Sequence, residues 1–246
     1  QNKKIVERKS SSSLSSKLKN ANLTKQQKIQ QMKIDADKGN AYAMKNYATM
    51  LEKGDGIKQN KVEAARYYKM AADKGNSYAM NNLALMLYNG DGIQQNKTEA
   101  ARYFKMSIDK GNIVSMFNYA FMLFNGIGIP ANKEEAAHYY KMAADKGHEY
   151  AMFSYAMILN KGDGVQADKK EAARYFKMSA DKGVPTVMDQ YAQMLFNGDG
   201  IEENKQESAK YFKMAADKGC VNSMNSYAQM LFKGDGIEEN KQESVK

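Results

Sequence analysis

Asn60 to Gly75 reads NKVEAARYYKMAADKG, and the pattern returns as NKTEAARYFKMSIDKG from Asn96, NKEEAAHYYKMAADKG from Asn132, DKKEAARYFKMSADKG from Asp168 and NKQESAKYFKMAADKG from Asn204, each 36 residues after the last. Such a period marks stacked supersecondary units rather than a single conventional core. Within each copy an Asn or Asp stands three residues before a Glu, the signature of a capping box: the first side chain accepts from a first-turn amide, and the Glu reaches back to the cap. The pairs are Asn60 with Glu63, Asn96 with Glu99, Asn132 with Glu135, Asp168 with Glu171, Asn204 with Glu207 and Asn240 with Glu243. Ala64, Ala65, Ala71 and Ala72 give this helix, helix B, a small-residue face that lets a neighbour approach closely, with Tyr68 filling the remaining gap. Gly75 ends it.

Working outward, the preceding segment from about Asn40 to Lys53 repeats Met44, Tyr47, Ala48 and Leu51 at three-to-four-residue steps, which predicts a second amphipathic helix, helix A. Gly54 closes it, since glycine takes the left-handed conformation without strain, and Gly56 turns the chain again before Ile57. One helix pair cannot bury its apolar faces alone, whereas stacked pairs share them with their neighbours. Residues 40–246 therefore divide into five full repeats and a truncated sixth. Residues 23–39 align with helix B but place Lys28, Ile29 and Asp35 where alanines belong, as a degenerate N-terminal capping helix does. Residues 1–22 are expected to form a basic, Ser/Lys-rich disordered linker.

The fixed-spacing pattern resembles the Sel-1-like repeat (SLR) family, related to the tetratricopeptide-like helical repeats, over roughly residues 23–246. The residues that carry the resemblance are Gly54-Asp55-Gly56-Ile57, the helix start Asn60, the run Glu63-Ala64-Ala65-Arg66-Tyr67-Tyr68-Lys69-Met70-Ala71-Ala72, and the closing Gly75. The sequence departs from the family in helix A, where the usual Leu-Gly becomes Tyr47-Ala48 and the usual tyrosine becomes Leu51. The resemblance implies an all-α fold, an α/α solenoid (right-handed superhelix) of antiparallel helix pairs that scaffolds protein complexes, with helix A on the concave side.

The copies also differ from one another, and the differences point to a site. Positions fixed in every copy serve folding; positions that change are free for something else. In helix A the changing positions are those of Tyr42, Lys45, Thr49 and Glu52, about 130° around the helix from the fixed stripe at ~100° per residue. Along the groove that the resemblance implies, the second to fourth copies place Tyr78, Leu85, Tyr88, Phe117, Phe121, Phe124, Tyr150, Phe153 and Met157, and the fifth and sixth place Asp189, Gln193, Asn225 and Gln229. Aromatic anchors beside a polar stretch suit a peptide or helix groove, with Phe117, Phe121 and Phe153 carrying most of this reading. Strong curvature would instead pack these aromatics between neighbouring A helices.

Little else suggests chemistry. The chain holds two histidines and one cysteine, Cys220, so no nucleophile and base constellation emerges, and neither an enzyme activity, a cofactor, a metal nor a small-molecule substrate is expected. The recurring Gly-Asp-Gly offers a single carboxylate per loop, and the third copy, Gly126-Ile127-Gly128, drops it; a turn explains the motif better than calcium does. His138 replaces an arginine of the other copies, and His148 stands where Asn40 and Asn76 cap helix A. The net charge of +9 sits almost wholly in residues 1–33, which hold nine Lys or Arg against Glu7 alone. Nucleic acid or an acidic membrane is thus expected as a partner only through the tail, where phosphorylation at Ser10 or Ser11 would erase charge. The expected partner of the repeats is a protein or peptide, and the single cysteine favours a cytoplasmic location. The alternative is that the array is a regulatory or targeting segment of a larger, possibly enzymatic, protein.

Overall fold

A computed structural model of the chain describes residues 24–244; the expectations for the basic tail, including its serines, lie outside the described residues. Every regular element among the described residues is an α-helix. They fall into two compact units, split after Asn112. The first holds α1 (Lys25–Asp37), α2 (Ala41–Lys53), α3 (Lys61–Asp73), α4 (Ser77–Asn89) and α5 (Lys97–Ile108). The second holds α6 (Ile113–Asn125), α7 (Lys133–Asp145), α8 (Glu149–Lys161), α9 (Lys169–Asp181), α10 (Pro185–Asn197), α11 (Lys205–Ala216) and α12 (Val221–Lys233). Within each unit every helix packs on the one before it and the one after it, as stacked helix pairs require. The even-numbered helices are the A helices and the odd-numbered ones from α3 onward the B helices.

The alanines set the spacing. Ala64, Ala71, Ala100, Ala136, Ala143 and Ala172 are fully buried, and the gaps they leave are filled by large side chains such as Tyr67, Tyr68, Phe104 and Tyr175. Within a pair, one aromatic contact recurs edge to face: Tyr47 with Tyr67 at 5.0 Å, Tyr119 with Tyr139 at 5.2 Å, Tyr155 with Tyr175 and Tyr191 with Tyr211 at 4.9 Å. Each such pair contributes about 0.5–1.5 kcal/mol beyond its area. Between pairs, the second partner's hydroxyl donates to the Asp thirty residues earlier, Tyr67 to Asp37, Tyr175 to Asp145 and Tyr211 to Asp181, all at 2.6 Å. The aromatic seam of one repeat is thereby tied to the end of the preceding B helix.

The Gly-Asp-Gly loops are a second inter-repeat joint. Lys61 Nζ lies 2.8 Å from Asp91, Lys133 2.6 Å from Asp163, Lys169 2.7 Å from Asp199 and Lys205 2.8 Å from Asp235. The second glycine meets the same helix start: a Cβ on Gly92 would fall 2.4 Å from the Lys61 carbonyl carbon, and one on Gly164 2.6 Å from that of Lys133. Backbone contact this close excludes any side chain, so the motif is a packing device. Among the described residues no group of three or more His, Cys, Asp or Glu comes together as metal ligands would.

The capping boxes form by half. Asn60 Oδ1 accepts from the Glu63 amide at 3.0 Å, and Asn96, Asn132, Asp168 and Asn204 do the same for their helices. The returning bond from Glu to the cap amide is not made, because that amide already donates to helix A: Asn60 N to Leu51 O at 2.8 Å, Asn96 N to Leu87 O at 2.9 Å, Asp168 N to Leu159 O at 2.9 Å. The glutamates turn instead to neighbours, as Glu99 does to Arg102 and Glu171 to Arg174. At α1, where no A helix precedes in the described residues, both halves close between Thr24 and Gln27.

Candidate protein-docking groove

Most of the changing positions of helix A are exposed or half-buried, and the two units place them separately. In the first unit Tyr78 is 66% exposed, with Lys45 Nζ 6.0 Å from its ring, while Leu85 and Tyr88 are half-buried and Lys97 Nζ stands 5.7 Å over the Tyr88 ring.

In the second unit the A helices are separated by a row of open clefts, one per repeat. The cleft between α6 and α8, about 320 Å³, is walled by Phe121, Phe124, Phe153 and Met157 and floored by Tyr140 of α7. The next, between α8 and α10, is about 250 Å³ with Phe176 of α9 as floor; the last, between α10 and α12, is about 230 Å³ with Phe212 of α11 as floor. The first is the most apolar. Phe121 is 42% exposed on its wall, whereas the floor residues Tyr140, Phe176 and Phe212 are 4%, 2% and 3% exposed. Burial pushes the Tyr140 hydroxyl well above its ordinary pKa, partly offset by its hydrogen bond with Ser154, so the floor stays uncharged. The rim is charged: Lys133 pairs with Asp163 and stands 5.2 Å over the Phe124 ring.

The structure thus brings Phe121, Phe124, Phe153 and Met157 together. Gln193 and Gln229 share the last cleft with Phe196, and Asn225 is exposed outside it. Phe117 is half-buried and does not line the first cleft; its ring stacks on His148 at 4.7 Å and meets Tyr140 at 5.7 Å and Tyr150 at 6.5 Å. Tyr150 is 51% exposed beside it. Asp189 departs from expectation. Only 6% exposed, it accepts from Ser223 Oγ at 2.5 Å and from Gln193 Nε2 at 2.8 Å, so it clamps α10 to α12 instead of presenting a carboxylate to the groove. A serine at position 223, where most copies carry alanine or valine, was the available signal. The floors Tyr140, Phe176 and Phe212 were missed because a fixed aromatic on helix B reads only as core filler.

Compared with known families, the chain matches the Sel1 repeat model six times, at residues 41–76, 77–112, 113–148, 149–184, 187–220 and 221–246. The chain belongs to the Sel1 repeat family. Proteins of this family generally mediate protein–protein interaction. Among solved structures, this Sel1 repeat chain is similar to a protective antigen present in uropathogenic Escherichia coli strains and displaying an SLR fold, with a TM-score of 0.79, 20% identity, and coverage of 88% of this chain and 54% of that one. It therefore spans just over half the length of that relative. It is also similar to a Sel1 repeat protein from Oxalobacter formigenes, with a TM-score of 0.73, 26% identity, and coverage of 84% of this chain and 83% of that one. No curated protein matches it. These likenesses establish the α/α solenoid fold of paired helices; no helix of the described residues is long and apolar enough to cross a membrane.

Proposed function

We propose that this chain is a protein-interaction scaffold that holds its partner along the outer side of the A helices, with the cleft between α6 and α8 as the apolar anchor point. The observation that carries the reading is the open, Phe-lined cleft itself: Phe121, Phe124, Phe153 and Met157 gather around a space of about 320 Å³, with Phe121 42% exposed on its wall. A well-defined apolar pocket with a charged rim is where binding energy concentrates in protein interfaces. A short apolar segment of a partner, helical or extended, fits such a cleft. α1, which packs on α2 and is charged on its outer side, serves in this reading as the cap of the array. The single cysteine, Cys220, supports a cytoplasmic location.

The test is affinity capture with the intact chain and with Phe121→Asp/Met157→Ala, checked for unchanged helicity. The variant is expected to lose specific prey; recovery of the same prey in equal yield from both sinks the reading.

A further inference from the structure

Among the described residues two buried side-chain atoms have no hydrogen-bond partner, Asn160 Oδ1 and Gln190 Oε1. Both residues line the same cleft, the one between α8 and α10. The repeat shows what Asn160 is missing. In the first unit the equivalent positions are Glu52 and Asn82; the hydroxyl of Tyr68 donates to Glu52 Oε2 at 2.7 Å and accepts from the Asn82 side chain. In the cleft between α8 and α10 the position of Tyr68 is held by Phe176, which carries no hydroxyl. The two neighbouring clefts avoid the problem differently: their walls carry Phe124 with Ser154, and Phe196 with Ser226, in place of Asn160 with Gln190.

A buried acceptor left unpaired forfeits its hydration with nothing in return, and two in one place are a standing demand for N–H donors. Asn160 and Gln190 are half-buried, and their terminal torsions are soft, so both oxygens can turn toward a donor that enters the cleft. The remaining lining favours a cationic donor on an apolar stem. Met157, Phe176 and Met194 would pack methylenes, and the one charged residue of the lining is Asp199, whose carboxylate Oδ1 already meets Lys169 Nζ at 2.7 Å and which has a second oxygen to offer. A space of about 250 Å³ accommodates one side chain. Acceptors on two different helices call for a donor with several N–H groups in a fixed fork, which distinguishes guanidinium from ammonium.

We propose that the cleft between α8 and α10 takes the guanidinium of an arginine side chain presented by a partner protein, with Asn160 and Gln190 as its acceptors. The proposal rests on the scaffold reading and names what the partner must carry: an apolar residue for the cleft at Phe121 and an arginine one repeat further on.

The test uses the full chain, ¹⁵N-labelled, titrated with N-acetyl-arginine N-methylamide and, separately, with its lysine and norleucine counterparts. Saturable shifts of the Asn160 and Gln190 side-chain amide signals are expected with arginine, severalfold weaker ones with lysine, and none with norleucine. Phe176→Tyr restores the internal hydroxyl, so it is expected to abolish the arginine shifts while raising the unfolding temperature. The proposal is overturned by absent or unsaturable shifts with arginine, by lysine or norleucine matching it, or by arginine binding that Phe176→Tyr leaves intact. Failure here with prey capture still dependent on Phe121 leaves the scaffold reading standing. Arginine binding with prey capture indifferent to Phe121 has the opposite meaning.

Discussion

The imidazole of His148 lies flat on the ring of Phe117, centroids 4.7 Å apart and planes 18° from parallel, while its Nδ1 accepts the Ala151 amide at 3.2 Å as the N-cap of α8. Only a neutral imidazole with a free Nδ1 can accept that bond. Partial burial, opposed by the nearby Glu149, accordingly lowers the His148 pKa below its usual 6.5.

A group whose folded pKa is depressed contributes stability above its unfolded pKa and loses it as pH falls through the folded value. The wild-type chain is therefore expected to weaken as pH drops from about 6.5, before the carboxylates titrate; Asp145, Glu99 and Glu171 are all held below their ordinary values and act only at lower pH. Loss of a cap costs about 1 kcal/mol, and the new charge at a helix N-terminus adds to it. Urea unfolding at pH 7.5 and 5.5 measures this, and His148→Asn, the residue of the other copies, is expected to remove the difference. Equal pH sensitivity in that variant contradicts the assignment.

The two glycine classes of the repeat are expected to respond differently to alanine. Gly75 has φ +85° with nothing within 4 Å of a built Cβ, so Gly75→Ala incurs only the left-handed strain, about 1–2 kcal/mol. Gly92 has φ +68° and would also drive its Cβ to 2.4 Å from the Lys61 carbonyl carbon. Gly92→Ala must separate two repeats and is expected to be clearly the more destabilising. Urea midpoints of the two variants, followed by circular dichroism, decide the order.

Most of the fold was legible because the fold is periodic. Met44, Ala48 and Leu51 return at every copy and Tyr47 at all but the second, where Leu83 stands, and most helix bounds followed from an Asn or a Gly at a fixed offset. The half-formed capping boxes were not legible, since nothing in Asn60 or Glu63 shows that the cap amide is already donated to Leu51. The groove was legible as a set of helix positions but not as a shape. Periodicity placed Phe121, Phe124, Phe153 and Met157 on one face, yet whether their faces are covered depends on Tyr140 and Lys133 from another helix. Asp189 was misplaced for the same reason: its partner Ser223 lies 34 residues on, and a helical wheel cannot see it.

That pairing yields a third prediction. Ser223 and Asp189 are both buried, so Ser223→Ala leaves a carboxylate short of a donor and is expected to cost about 1–3 kcal/mol. Removing both partners, in Ser223→Ala/Asp189→Leu, is expected to recover much of that loss, since no orphaned polar atom remains. A double-mutant cycle in urea shows the coupling; additive costs for the two single changes argue against a clamp.

The last prediction separates binding surface from core. Phe121 and Phe176 are the same residue type on adjacent helical layers, but Phe121 is 42% exposed on the wall of the first cleft and Phe176 is 2% exposed beneath the second. Phe176→Ala opens a cavity among packed helices and is expected to cost about 3–5 kcal/mol. Phe121→Ala removes a ring that folding has only partly withdrawn from water, so its cost is expected to stay near 1 kcal/mol. Thermal unfolding of the two variants therefore reads out which phenylalanine the stack requires. A large loss with Phe121→Ala means that the first cleft is held open by packing and is not free to receive a partner, which removes the support for the anchor point.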